Sequence, residues 1–144
     1  REALEPALIL EDYPRTAIDV YLEVLQADGG SRVAGITASS AALADAGINM
    51  RDMVVGCAVG KVEGQIMLDP NDVEDKEGEG DMPVAIMANL NQITLLQLEG
   101  RFSQEEFKKA FEMALNGCRM VYKVQREAVI NRYFGKAEPS QEAD

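Results

Sequence analysis

Apolar and polar residues follow three kinds of spacing along the chain. From Thr16 to Gln26 they alternate, which is typical of a strand with one face more buried than the other. From Ser31 to Ala46 the apolar and small residues recur every three or four positions, which indicates a helix that can lie close to a sheet, with Gly47 as its left-handed stop. The Asp28-Gly29-Gly30 turn separates these two elements.

The middle of the chain carries the pattern of a β-sheet. Met53–Val62 and Gln65–Leu68 read as a hairpin, with Glu63-Gly64 as its turn. Two further strands are predicted over Pro83–Ala88 and Gln92–Leu98, and the apolar run within the second suits a buried strand.

A helix-start pattern follows the predicted strands. Ser103 and Glu106 form a capping box, and an apolar stripe at helical spacing then continues to Tyr133 as core packing. Residues 1–12 read as the end of a helix stopped before Pro14, and the polar residues 136–144 as a flexible tail. The sequence therefore predicts an α+β domain, a mixed sheet packed with helices.

The chain has 144 residues, enough for one domain with a core or for part of a larger one. It begins at Arg1 without Met, in what reads as the middle of a helix, so we expect a piece of a longer protein. We expect no signal peptide at these charged first residues, and no membrane partner, since no apolar run is long enough to span a bilayer.

Charge and residue usage exclude several functions. The net charge of −11 argues against simple binding of duplex nucleic acid. The chain has no histidine, which excludes Ser-His-Asp and Cys-His nucleophiles and histidine metal ligands. Cys57 and Cys118 lie in apolar patterns and read as buried free thiols, so we expect a reducing compartment, the cytoplasm.

Seven carboxylates are concentrated between Leu68 and Pro83, and such a segment needs a cation, a basic partner or full exposure to water. They are Asp69, Asp72, Glu74, Asp75, Glu77, Glu79 and Asp81. The spacing is not that of an EF-hand, because Val73 occupies a ligand position. For most of these residues a solvated loop is the plainer interpretation, with Lys76 paired to neighbouring acids.

A second stretch, Gly29-Gly30-Ser31-Arg32, leads into the N-terminus of a predicted helix. Free backbone N–H groups and the helix dipole favour an anion there, Ser31 can cap the helix, and Arg32 can contact a phosphate. Most Gly-Gly turns before a helix only reverse the chain and bind no anion. Phosphate-binding and cation-binding groups together, without histidine, would suit chemistry at a phosphodiester.

Three segments carry a resemblance to the ribonuclease PH family, and within it to the catalytic subunit of the archaeal exosome. They are Gly29–Arg32, Ala41–Ile48 and the run Glu74-Asp75-x-x-Gly78-x-Gly80-Asp81-Met82. The resemblance implies a two-half fold of which residues 1–50 are the end of the first half and residues 51–135 the second. The first half is then incomplete, and these 144 residues alone are expected to be inactive.

The resemblance also implies a function and a site. The family shortens RNA from the 3′ end with inorganic phosphate and releases nucleoside diphosphates. Gly30, Ser31 and Arg32 would bind phosphate, and Asp75 and Asp81 would be the catalytic pair that holds Mg²⁺ or Mn²⁺. The implied partners are an RNA 3′ end, a related non-catalytic subunit in a hexameric ring, RNA-binding cap subunits and the missing N-terminal half.

Two alternatives remain open from the sequence. One is a non-catalytic ring-building subunit of the same complex, in which the aspartates are present but inactive. The other is a bacterial-type ribonuclease PH that trims the 3′ ends of transfer RNA as a homohexamer. The roles of the other five acids stay unassigned.

Overall fold

A five-stranded antiparallel sheet carries most of the core of the computed structural model, which describes residues 1–135. The predicted tail, 136–144, lies outside the described residues. The spatial order is β2-β1-β3-β4, and the short β5 also pairs with β3. The elements are α1 (Ser31–Asp45), β1 (Val54–Val62), β2 (Gln65–Leu68), α2 (Asp72–Glu77), β3 (Gly80–Met87), β4 (Gln92–Leu96), β5 (Glu99–Gly100) and α3 (Gln104–Phe134).

The long helix α3 covers one face of the sheet. Its Ala110, Ala114 and Cys118 are fully buried against alternate residues of β1 and β3, among them Val55 and Val84. The period-two alternation of a strand sends these side chains to the same face. The predicted capping box is present, since the Ser103 side chain accepts from the N–H of Glu106 and the Glu106 side chain from that of Ser103.

The opposite face of the sheet buries a second, smaller cluster. Val54, Ala85 and Met87 pack there with Ala3 and Ala7 from the start of the chain. The central strands are therefore covered on both sides, which explains why β1 reads as a nearly continuous apolar run. The α+β expectation and the hairpin are confirmed.

Helix α1 lies along the part of β1 that β2 does not pair. Thr37 and Ser40 of α1 accept hydrogen bonds from the backbone N–H groups of Gly56 (3.0 Å) and Val54 (2.7 Å). The buried Gln125 of α3 donates to the carbonyls of Val54 and Thr37, both at 2.9 Å. These bonds satisfy strand groups that would otherwise be unpaired in the interior, and they fix the position of α1.

The expectation of a strand over Thr16–Gln26 is wrong for the described chain, where this segment has no regular secondary structure. Most of its apolar side chains are exposed, with Leu25 95% exposed and Tyr21 88%. A strand requires a hydrogen-bonded neighbour, and none of the described strands pairs with this segment.

Two smaller expectations also need correction. Residues 1–12 form two 3₁₀ turns, Glu5–Ala7 and Leu10–Asp12, not the end of an α-helix, because Pro6 interrupts the helical hydrogen bonds and Leu8 pairs with Met50. The apolar run within the predicted strand Gln92–Leu98 was expected to be buried, but it is only partly covered. Ile93, for example, is 49% exposed, because β4 lies at the edge of the sheet.

The sequence expectations for the two cysteines and for Gly47 are confirmed. Cys57 and Cys118 are buried free thiols, and burial raises the pKa of Cys57 to about 11 and that of Cys118 to about 12. Gly47 has a positive φ of 73° just after α1. Within residues 1–135, no helix combines the length and apolar character needed to cross a membrane.

Candidate functional site

The Gly-rich turn forms the N-terminus of α1. Gly29 and Gly30 have φ of 74° and 56°, a conformation that glycine adopts without strain. The structure corrects the capping role expected of Ser31. Gly30 is the N-cap, no side chain caps the helix, and Ser31 is the first helical residue. The N–H groups of Ser31 and Arg32 lie in the first turn, where they have no intrahelical acceptor and are suited to an anion.

The acidic segment is not a simple loop, because it contains the short helix α2. The Asn71 side chain accepts from the N–H groups of Val73 and Glu74, and the Glu74 side chain accepts from the N–H of Asn71. This capping box was visible as Asn-x-x-Glu in the sequence and was missed. Asp75 lies exposed on α2, and Asp81 lies half-buried near the start of β3.

The turn and the acidic segment meet in the structure, although about forty positions separate them. The Asp28 carboxylate accepts from the backbone N–H of Asp72 at 3.0 Å. A Cβ added at Gly29 would lie 2.2 Å from the Pro70 carbonyl oxygen, and one at Gly30 would lie 3.2 Å from the Asp69 carboxylate. Only glycine at position 29 therefore allows the two backbones to approach this closely.

Asp81 is the electrostatic centre of the site. Burial raises its carboxyl pKa, and the neighbouring charge of Asp75 raises it further, while Arg32 acts in the opposite direction. Its Oδ1 atom is buried and has no hydrogen-bond partner in the described chain. The charges of Arg32 and Asp75 therefore both act on the carboxyl group of Asp81, whose ionisation is disfavoured by burial.

Two residues near the site were missed in the sequence. Glu99 of β5 pairs with Asp81 of β3 in register, and its charge also raises the pKa of Asp81. Gln97 accepts a hydrogen bond from the Arg32 guanidinium at 2.5 Å. No local sequence pattern predicts either contact, because each depends on how β4 and β5 pair with β3.

The remaining acids have varied surroundings. Asp72 pairs with Lys76 at 2.6 Å, as expected for Lys76. Glu79 is exposed, as expected for a solvated acid, and it also lies 3.4 Å from the Nζ of the buried Lys61 and accepts from the N–H of Gly64. Glu77 is exposed at the end of α2, as expected.

A metal ion would have few protein ligands here. Among residues 1–135, no group of three or more acidic or cysteine side chains has the geometry to hold a metal. The orphaned Oδ1 of Asp81, with Asp75 beside it, fits a hard divalent cation that takes most of its oxygen ligands from water and substrate.

A groove of about 1050 Å³ opens beside the site, between the first residues of the chain and α1. Arg32 and Gln97 line it at one end, and Leu22, Ile36 and Leu43 add apolar surface. Asp75 and Asp81 do not line it, so the groove includes Arg32 of the Gly-rich turn and excludes the two candidate aspartates.

Comparison with known proteins points to one family. The model of the 3′ exoribonuclease family, domain 1, matches residues 1–49, and that of domain 2 matches residues 52–117. The chain is 58% identical over 142 residues to the exosome complex component Rrp41 of Pyrococcus horikoshii, which covers 99% of this chain and 57% of that protein.

Further relatives agree. The exosome complex component Rrp41 of Cenarchaeum symbiosum is 56% identical over 138 residues, covering 96% of this chain and 57% of that protein. The crystal structure of rice (Oryza sativa) Rrp46 superposes with a TM-score of 0.80 at 26% identity, covering 89% of this chain and 60% of that one. The chain thus spans somewhat more than half the length of its relatives.

Proposed function

The chain belongs to the 3′ exoribonuclease family, and we propose that it acts as part of a phosphorolytic 3′–5′ exoribonuclease subunit of an exosome-type ring. In this proposal inorganic phosphate is the co-substrate and nucleoside diphosphates are released from RNA 3′ ends. The observation that carries it is the packing of the Gly29–Arg32 turn against the acidic segment. The carboxyl group of Asp81, whose pKa is raised, lies next to this segment.

The phosphate side of the proposed site is the first turn of α1. Gly30, Ser31 and Arg32 supply backbone N–H groups, a hydroxyl and a guanidinium, all of which are donors to a phosphate oxygen. Two anions must approach each other in the reaction, and the charge of Arg32 offsets part of their repulsion.

The acid side would handle the leaving group. A phosphate oxygen forms a bond to the terminal phosphorus of the RNA, and the bond from that phosphorus to the 3′ oxygen breaks. Asp81 donates a proton to the departing 3′ oxygen, and the proton of the attacking phosphate restores Asp81. The pKa of Asp81 is raised, which is the direction that favours the protonated form of a proton donor.

Mg²⁺ or Mn²⁺ is the proposed cofactor, with Asp75 and the unpartnered Oδ1 of Asp81 as its protein ligands. When bound, such a cation would neutralise charge at the phosphoryl group.

The proposed organisation follows the two family matches. Residues 1–50 would be the C-terminal part of the first half and residues 51–135 the second half. The remainder of the first half would cover the exposed segment 16–26 and the apolar part of the groove. The 144 residues of this chain, without the remainder of the first half, would then be inactive.

The proposed assembly is a hexameric ring with a related non-catalytic subunit and RNA-binding cap subunits. The names of the archaeal relatives support an exosome component over a homohexameric ribonuclease PH that trims transfer RNA. The intact pair Asp75 and Asp81 supports the catalytic member over a ring-building one. We place the protein in the cytoplasm, since both cysteines are free thiols.

The test offers uniformly labelled RNA to the full-length protein, co-expressed with its ring partner, with and without inorganic phosphate. We expect shortening only with phosphate, and nucleoside diphosphates as products. Phosphate-independent shortening that yields monophosphates would overturn the proposal. A ring that assembles but never shortens RNA would favour the non-catalytic alternative.

A further inference from the structure

The side chain of Gln97 contacts the one cationic group of the proposed phosphate turn. Nη1 of Arg32 donates to its Oε1 at 2.5 Å, across 65 positions of sequence. Within residues 1–135 this is the only hydrogen bond of the Arg32 guanidinium, and the guanidinium forms no ion pair with a carboxylate. Its other N–H donors are therefore free for a ligand.

The sheet fixes where Gln97 stands. Its backbone N–H donates to the carbonyl of Pro83 at 3.1 Å, one residue beyond the end of β4. Pro83 is fully buried in β3, two positions from Asp81. Gln97 is thus tied to the strand that carries the acid side while its amide reaches the phosphate side.

The neutrality of this amide matters in an acidic neighbourhood. The charges of Asp75 and Glu99 act on Asp81, and so does that of Arg32, with the opposite sign. A carboxylate at position 97 would pair with Arg32 and compete with an incoming anion, whereas an amide oxygen orients the guanidinium without cancelling its charge.

We propose that Gln97 is a positioning residue that holds the Arg32 guanidinium toward the phosphate subsite and keeps its charge available. The inference rests on the proposed function in naming phosphate as the ligand. It adds a residue from the second half of the chain to a phosphate site otherwise built from the first turn of α1.

The test compares Gln97→Glu and Gln97→Ala with wild type in the full-length, assembled protein. Gln97→Glu introduces an ion pair with Arg32 and a charge facing the anion, so we expect the Kd for inorganic phosphate to rise about fivefold to tenfold. Gln97→Ala removes one orienting bond, and we expect about a threefold rise. Calorimetric titration with inorganic phosphate measures both, independently of RNA shortening.

A matched control and a kinetic readout separate positioning from a structural role. Gln92→Glu makes the same charge change at the exposed start of β4 and should leave the phosphate Kd within about twofold of wild type. In the phosphorolysis assay, the Gln97 variants should raise the KM for phosphate and change the KM for RNA and kcat at saturating phosphate by less than about twofold.

The outcomes distinguish this inference from the proposed function. Phosphate binding weakened in Gln97→Glu supports the role of Gln97, even if wild type binds phosphate and does not shorten RNA. Equal phosphate affinity in wild type and both variants overturns it, as does a fall in kcat together with equal rises in the KM values for phosphate and RNA. Absence of any phosphate binding by wild type also overturns it.

Discussion

Two stretches whose sequences both predict a strand adjoin the proposed site, and they differ in what holds them. β3, which carries Asp81, pairs with strands on both sides, and its Met82 and Val84 are fully buried. The segment 16–26, which leads to Arg32, has no strand partner in the described chain, and its Leu25 is 95% exposed. Alternation reveals that a segment suits a strand, but only a neighbour makes it one.

The difference shows how the two sides of the site are positioned. The sheet supports Asp81 directly. Arg32 relies on α1 being fixed along β1, and on contacts such as that of Asp28 with the acidic segment. The acid side therefore depends on the core, and the phosphate side depends on a few polar contacts.

The largest expected effect comes from removing the acid without disturbing the core. Asp81→Asn should lower kcat for phosphorolysis at least about 100-fold, because the amide cannot supply the proton. Rates of RNA shortening at saturating phosphate measure this. Activity within tenfold of wild type would contradict the role given to Asp81.

The same variant makes a pH prediction. The pKa of Asp81 is raised on folding, so its contribution to stability is present below the unfolded value of about 3.8 and is lost as pH rises through the higher folded value. Asp81→Asn should therefore be at least as stable as wild type at pH 7, with a smaller advantage at acidic pH. Urea unfolding at several pH values measures the difference; a variant less stable at pH 7 would contradict it.

A pair of truncations sharpens the contrast in packing. Met82→Ala leaves a cavity in the core and should lower the free energy of unfolding by about 2–5 kcal/mol. Leu25→Ala, in these 144 residues, should change it by less than about 0.5 kcal/mol. If the full-length protein covers segment 16–26, as proposed, the cost of Leu25→Ala there should exceed 1 kcal/mol by the same cavity argument. An equal, negligible cost in both lengths would argue against that cover.

A smaller effect is expected where the two sides join. Asp28→Ala removes the bond to the N–H of Asp72, which is worth about 1 kcal/mol, and should lower kcat/KM for phosphate about fivefold. Asp28→Asn keeps an oxygen acceptor and should recover most of the activity. If Asp28→Asn loses as much activity as Asp28→Ala, the charge of Asp28, and not its hydrogen bond, is what matters.

The smallest effect is expected at an acid outside the site. Glu77 is exposed at the end of α2, and Glu77→Gln should change kcat/KM by less than about twofold. The phosphorolysis assay at fixed salt checks it, and a tenfold loss would show that more than two acids of the segment take part.

Local sequence determined the features that depend on neighbouring residues. The Ser103 and Asn71 caps, the Glu63-Gly64 hairpin turn and the glycines at the start of α1 are each specified within a few positions, because caps and turns close over short distances. The candidate residues Arg32, Asp75 and Asp81 were also recognisable, through their resemblance to a family.

The tertiary structure decided what depends on distant partners. It paired Glu99 with Asp81, brought Gln97 to Arg32 and set Glu79 beside Lys61. It also left segment 16–26 without a strand neighbour among the described residues. The physical reason is the same in each case: a hydrogen bond or an ion pair requires a second group close in space, and a shifted pKa requires burial or a nearby charge. A one-dimensional pattern records only which groups could take part.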